Sequence, residues 1–136
     1  MDYMPHYDIT DKIIDAFYKV YNNLGYGFLE RVYENAMIIE LKKMGCAVSN
    51  QKKIEVFYNN VRVGEYFADL LVNECVIVEL KAMEALNKNY DAQLINYLKA
   101  SNIEIGIMLN FGLSAQFKRK IFSNNKKNQR KSVPSV

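Results

Sequence analysis

Apolar residues recur at helical spacing from the first quarter of the chain onward. Ile13, Ile14, Phe17, Val20, Tyr21 and Leu24 follow Thr10, a residue suited to an N-cap, and Gly25 supplies a stop. A second helix fits Leu29 to Met44, with Val32, Tyr33, Ala36, Met37, Glu40 and Leu41 along one side and Gly45 ending it. The pattern then changes. "KIEVFYNNVRVGEYFADLLV" is β-branched and aromatic on both sides of Asn59-Asn60, a pair that tolerates positive φ and so predicts a hairpin turn. Val76 to Lys81 reads as a third strand after a short Asn73-Glu74 turn. "NKNYDAQLINYLKAS" returns to helical spacing, with Tyr90, Leu94, Tyr97 and Leu98 on its apolar side. "IEIGIMLNF" is apolar on both faces, as an interior strand is, and "QFKRKIF" fits an extra edge strand. The predicted order is α-α-β-β-β-α-β, an α/β chain without repeats or internal linkers.

Composition narrows the class. Half of the 136 residues are apolar and 24% are charged, the balance of a globular domain with room for an ordinary core. "MDYMPHYDIT" has two acids and no apolar run, so no secretory signal is expected. No stretch approaches the roughly 18 apolar residues of a membrane span. Cys46 and Cys75 lack a CxxC spacing or a histidine partner, and read as buried reduced thiols of a cytoplasmic protein.

The net charge of +3 divides unevenly. Residues 1–104 hold all 15 acids but 11 Lys/Arg, whereas residues 105–136 hold the other seven Lys/Arg and no acid. Four of those seven lie in "SNNKKNQRKSVPSV", a polar stretch without periodicity, expected to be a disordered tail over 123–136 behind a domain over 1–122. Such a tail suits a nucleic-acid backbone and equally a solvated terminus.

The chemistry begins where charges interrupt apolar strands. "FADLLVNECVIVELKA" places Asp69 in one strand and Glu79 and Lys81 in the next. Side chains two apart on a strand share a face, so Glu79 and Lys81 point together, away from Val76, Val78 and Leu80. Antiparallel pairing through the short turn can bring Asp69 level with Glu79. Two adjacent carboxylates repel unless a cation lies between them. Mg²⁺ suits such a site, since it needs only one or two protein carboxylates beside water and phosphate oxygens. Lys81 could then orient a water or stabilise charge on an attacked phosphodiester.

By itself the pattern is weak. Chance alone yields about 1.5 acid-x-Lys matches in such a composition, and Glu40/Lys42 is a second, on a helix where the two side chains diverge. On this evidence alone a solvated strand end is the favoured account of the charges. His6 is alone, so no Ser-His pair can be drawn, and no phosphate-binding glycine loop is present.

More residues fall into an ordered set. "GFLERVY" holds Gly27, Glu30 and Tyr33 in a G-x-x-E-x-x-Y pattern, and "QLINYL" holds Gln93 and Tyr97 on one helical face. With "FADLLV", "VIVELKA" and "IGIMLNFG", the chain from about Asp8 to Phe122 resembles the GxxExxY protein family, a branch of the PD-(D/E)xK nuclease superfamily. The resemblance implies a restriction-endonuclease-like core, a central mixed β-sheet flanked by helices. It implies a nuclease that hydrolyses phosphodiester bonds, in DNA, with Mg²⁺ or Mn²⁺. Asp69 and Glu79 would be metal ligands, Lys81 the catalytic lysine, and Glu30 the acid added by the first core helix. Gln93 and Tyr97 would line the site. Ala68 stands where the motif usually has proline, a position that is not a ligand. Each residue also has a plainer role: Glu30 favours a helix N-terminus through the macrodipole, Tyr33 fits a core position, and Gln93 and Tyr97 fit a helix flank. The other class of function is a non-catalytic nucleic-acid-binding or interaction module that keeps the fold. The implied partner is nucleic acid rather than membrane, with a homodimer among the assemblies the reading admits.

Overall fold

A computed structural model of the chain describes residues 6–131; residues 1–5 and 132–136, which include the start of the expected domain and the end of the expected tail, lie outside the described residues. The elements run α1 (Tyr7–Leu24), α2 (Glu30–Lys43), β1 (Val48–Tyr58), β2 (Val61–Val72), β3 (Val76–Lys81), α3 (Asn89–Ala100), β4 (Ile105–Phe111), β5 (Ala115–Ile121) and α4 (Asn124–Lys131). The five strands form one mixed sheet in the order β1-β2-β3-β4-β5. All neighbouring pairs are antiparallel except β3 and β4, which α3 connects in parallel. This is an α/β sheet flanked by helices, consistent with a restriction-endonuclease-like core.

The two faces of the sheet bury different clusters. Ile13, Phe17 and Val20 of α1 and Tyr33, Met37 and Leu41 of α2 pack on Val76, Val78 and Leu80 of β3 and on the odd-numbered residues of β4. Leu94, Tyr97 and Leu98 of α3 pack on Ile54, Ala68, Ile77 and Met108 from the other side. Burial on both faces explains the unbroken apolar runs of β3 and β4. The predicted turns form because their residues accept left-handed backbone: Asn59 and Asn60 have φ of 50° and 64°, Asn73 and Glu74 of 51° and 58°.

Three expectations change. α1 starts at Tyr7 rather than after Thr10; Thr10 is buried inside the helix, and its hydroxyl donates to the Tyr7 carbonyl at 3.0 Å. Val32 turns outward, and Glu34 takes a buried place, accepting from Gln51 at 3.0 Å. The tail expected to be disordered is helical over Asn124–Lys131. Local composition did not reveal this helix because its anchors are tertiary: Lys127 Nζ donates to the Ser101 and Ile103 carbonyls at 3.0 and 2.5 Å, and the Asn124 N–H donates to Glu104 at 2.9 Å. Among the described residues no helix is long and apolar enough to cross a membrane.

Candidate active site

The site starts with a fork in the sheet. β2 and β3 pair at Val72↔Val76, Leu71↔Ile77 and Leu70↔Val78, and the ladder stops there. Continued by one step, the register would put Asp69 opposite Glu79. Instead the Asp69 carboxylate enters the gap and accepts the Leu80 N–H at 2.8 Å, replacing a backbone carbonyl. The strand's alternation breaks at the same point: Ala68 packs with the α3 cluster, whereas Leu70, two residues on, packs with the α1–α2 cluster. Gln51, in the paired strand, has a φ of 51° there. A local bend in β2 thus turns a core strand into a carrier of a carboxylate.

Glu79 lies beside Asp69 and is only 5% exposed. Its pKa is pushed up to about 9, first by burial, then by the negative charge of Asp69 and a hydrogen bond with that carboxyl, with Lys81 opposing. Its Oε1 is buried without any hydrogen-bond partner. A buried acid that keeps its proton, with an orphaned oxygen next to a second acid, belongs to a donor pair that a cation would stabilise in its charged form.

Glu30 reaches the same place from α2. It is the first residue of that helix and open to solvent on one side, so its desolvation is only partial. Its pKa is raised by that burial and by Asp69 and Glu34, and lowered by Lys81 and by the Ala82 backbone N–H. The loop before it is fixed by Tyr33, whose hydroxyl donates to the Gly25 carbonyl at 2.5 Å and accepts the Phe28 N–H at 3.1 Å. Tyr33 itself stacks on Phe111 with centroids 4.1 Å apart. Gly27 adopts a φ of 119°, which a side chain rarely does. The G-x-x-E-x-x-Y pattern is thus a loop-forming glycine, an acid aimed at the carboxylate pair, and a tyrosine that holds the loop in place.

Lys81 is half-buried, and its ammonium sits 4.5 Å from the centroid of the Tyr90 ring. Tyr97 completes the wall: its pKa is pushed up to about 12 by burial, then by Glu79, Asp69 and Tyr66, so its phenol stays an O–H donor at neutral pH. The fold therefore gathers Glu30, Asp69, Glu79, Lys81 and Tyr97 from four elements. Gln93 is half-buried one turn before Tyr97 on the same flank of α3, and no hydrogen bond among the described residues ties it to the others.

Among the described residues no group of three or more His, Cys, Asp or Glu side chains is arranged to hold a metal ion. The fit is to a cation that needs few protein ligands. Asp69 and Glu79 offer only oxygen, one of them orphaned, and a hard divalent ion completed by water and phosphate oxygens matches that donor set.

Two residues that sequence reasoning did not single out shape the site from behind. Asn110, fully buried near the end of β4, accepts the Met83 N–H at 3.0 Å and donates to the Met83 carbonyl at 2.9 Å, which fixes the segment just after Lys81. Gly112 lies so close that a Cβ there would fall 2.2 Å from the Met83 carbonyl oxygen. A lone amide in the apolar run "IGIMLNFG" was the available signal, because a buried amide needs partners. A cavity of about 420 Å³ opens under β1 between Lys52, Ala68, Ile77 and Asn102, and none of the gathered residues lines it.

No curated protein matches this chain. A family model for the PD-(D/E)XK nuclease superfamily matches residues 7–121, from the start of α1 to the end of β5. With that match over most of its length, and a forked mixed sheet bearing Asp69, Glu79 and Lys81, the chain belongs to the PD-(D/E)XK nuclease superfamily.

Proposed function

We propose that this chain is a nuclease of the GxxExxY branch that hydrolyses phosphodiester bonds in DNA with Mg²⁺ or Mn²⁺. The observation that carries the reading is the buried Glu79, with an unpartnered oxygen, held against Asp69 beside a lysine. A fold that needed only stability would gain nothing from two such acids, since a buried charge without a cation costs several kcal/mol or is neutralised by a proton. Asp69 and Glu79 would hold the metal, with Glu30 adding charge or a water-mediated contact. When bound, the ion would supply positive charge to a phosphoryl oxygen and lower the pKa of a water.

The chain's own groups have separable roles. Lys81 places an ammonium where negative charge develops on the phosphate, and the Tyr90 face keeps it directed. Tyr97 keeps its proton and offers an O–H toward substrate or water. Asn110 and Gly112 hold the backbone that carries Lys81. The test is cleavage of linear, circular and single-stranded DNA with Mg²⁺ and with EDTA, beside Asp69→Ala and Glu79→Ala. Metal-dependent cleavage that both variants lose supports the reading; cleavage by both at the wild-type rate ends it.

A further inference from the structure

The carboxylates are walled on the α3 side by aromatic rings. Tyr66 pairs with Ile54 in the β1–β2 ladder, which places it on the α3 face three residues before Asp69. Its ring lies 5.1 Å from that of Tyr97, centroid to centroid, tilted by 47°, and the residue keeps 46% of its surface open. Tyr97 is within electrostatic reach of both Asp69 and Glu79. On another flank Tyr90 lies under the Lys81 ammonium.

Several basic side chains of β1, β2 and β5 are engaged with acids. Arg62 pairs with Glu55 and Glu65, and Lys53 with Glu65. Lys118 and Lys120 of β5 share Asp91. An uninterrupted duplex presents phosphates outward and keeps its base faces in the stack, so affinity for it comes from cations released to those phosphates. An open ring beside a reaction centre instead matches the face of a base, and only an unpaired strand offers one.

We propose that Tyr66, buttressed by Tyr97, is a base-stacking platform at the mouth of the carboxylate site, and that the preferred substrate is an unpaired DNA strand or a frayed or overhanging end rather than continuous duplex. The proposal rests on the nuclease reading and names its substrate class. The Tyr97 contact holds the Tyr66 ring in place before substrate arrives, so little side-chain freedom remains to be lost on binding.

The test uses the whole protein, an oligonucleotide carrying 2-aminopurine, and the same oligonucleotide in a blunt duplex. Binding is measured in EDTA, where no strand is cut, and cleavage separately in Mg²⁺. The single strand is expected to bind more tightly than the duplex and to show stacking-dependent quenching of 2-aminopurine. Tyr66→Phe keeps both effects. Tyr66→Ala and Tyr66→Leu lose the quenching and weaken single-strand binding by about tenfold or more, while duplex affinity stays within about twofold. Leu keeps apolar bulk without a π face, so agreement between the two variants separates stacking from misfolding. Tighter binding to duplex, or unchanged single-strand affinity in both variants, overturns the platform. Quenching without cleavage leaves the platform standing and removes the nuclease reading; cleavage with a preference for duplex does the reverse.

Discussion

Glu79 holds its proton far above the ordinary carboxyl value of 4.5, up to about 9, and this sets the sign of a pH effect. As pH rises past 4.5 the unfolded chain releases this proton while the folded chain keeps it. The unfolded state then binds fewer protons, so the metal-free protein loses stability steadily between pH 4.5 and 9. Glu79→Gln should flatten that slope and raise metal-free stability at pH 8 by as much as ~5 kcal/mol, while abolishing cleavage; thermal melts in EDTA from pH 5 to 9 check it. Divalent metal competes with the same proton, so its affinity should increase with pH across this window and its binding should release protons, measurable by calorimetry in two buffers. Tyr33 gives a second residue-scale prediction. Tyr33→Phe keeps the stack on Phe111 but leaves the Gly25 carbonyl and Phe28 N–H without their partner, at a cost of about 1–3 kcal/mol. Because that loop presents Glu30, cleavage should fall more than substrate binding does. At this scale the sequence was informative about types and poor about surroundings. Asp69, Glu79 and Lys81 could be picked out as charges in apolar strands, but the orphaned oxygen of Glu79 and the bond from Leu80 to Asp69 depend on a fork that no pattern encodes.

At the scale of elements, periodicity read well where one face was buried and less well where a tertiary contact decided. The three main helices and the two positive-φ turns follow from spacing and from Asn chemistry. The bend in β2 does not, because Ala68 and Leu70 look like ordinary alternation and yet serve opposite clusters. The segment between β3 and α3 is the other element that escaped. Asn110 and Gly112 hold it close to the sheet through Met83. Asn110→Leu keeps the volume but strands a buried N–H and a carbonyl, which predicts a loss of about 2–4 kcal/mol. Gly112→Ala cannot be accommodated without moving that backbone, since the added carbon would meet the Met83 oxygen. Either change should displace Lys81 and lower the turnover rate with less effect on substrate affinity. Steady-state kinetics on the folded fraction separate the two.

For the molecule as a whole, the question is what the basic C-terminus does. β3 and β4 run parallel from Val76 and Ile105 to Lys81 and Asn110, and the carboxylate site lies at the far end of that run. α4 attaches at the other end, where Lys127 and Asn124 bind the loop between α3 and β4. Its lysine at 127 is thus spent on backbone carbonyls at the pole opposite the chemistry, and the segment acts as a clasp on the α3–β4 connection. The sequence showed the charge asymmetry but read the segment as a disordered basic tail, open to either a nucleic-acid contact or a solvated terminus, because nothing local marks a lysine that will be buried. Two roles for residues 123–136 then separate by salt. If all four basic residues met phosphates, deletion would lower the slope of log affinity against log salt by about 3 on a single strand. The placement of α4 predicts a change below about one, together with a loss of about 1–3 kcal/mol in stability as the Ser101 and Ile103 carbonyls lose their donor. Lys127→Ala alone should reproduce most of the stability loss and none of the salt effect. A slope that falls by three on deletion would return the tail to the role of a nucleic-acid arm.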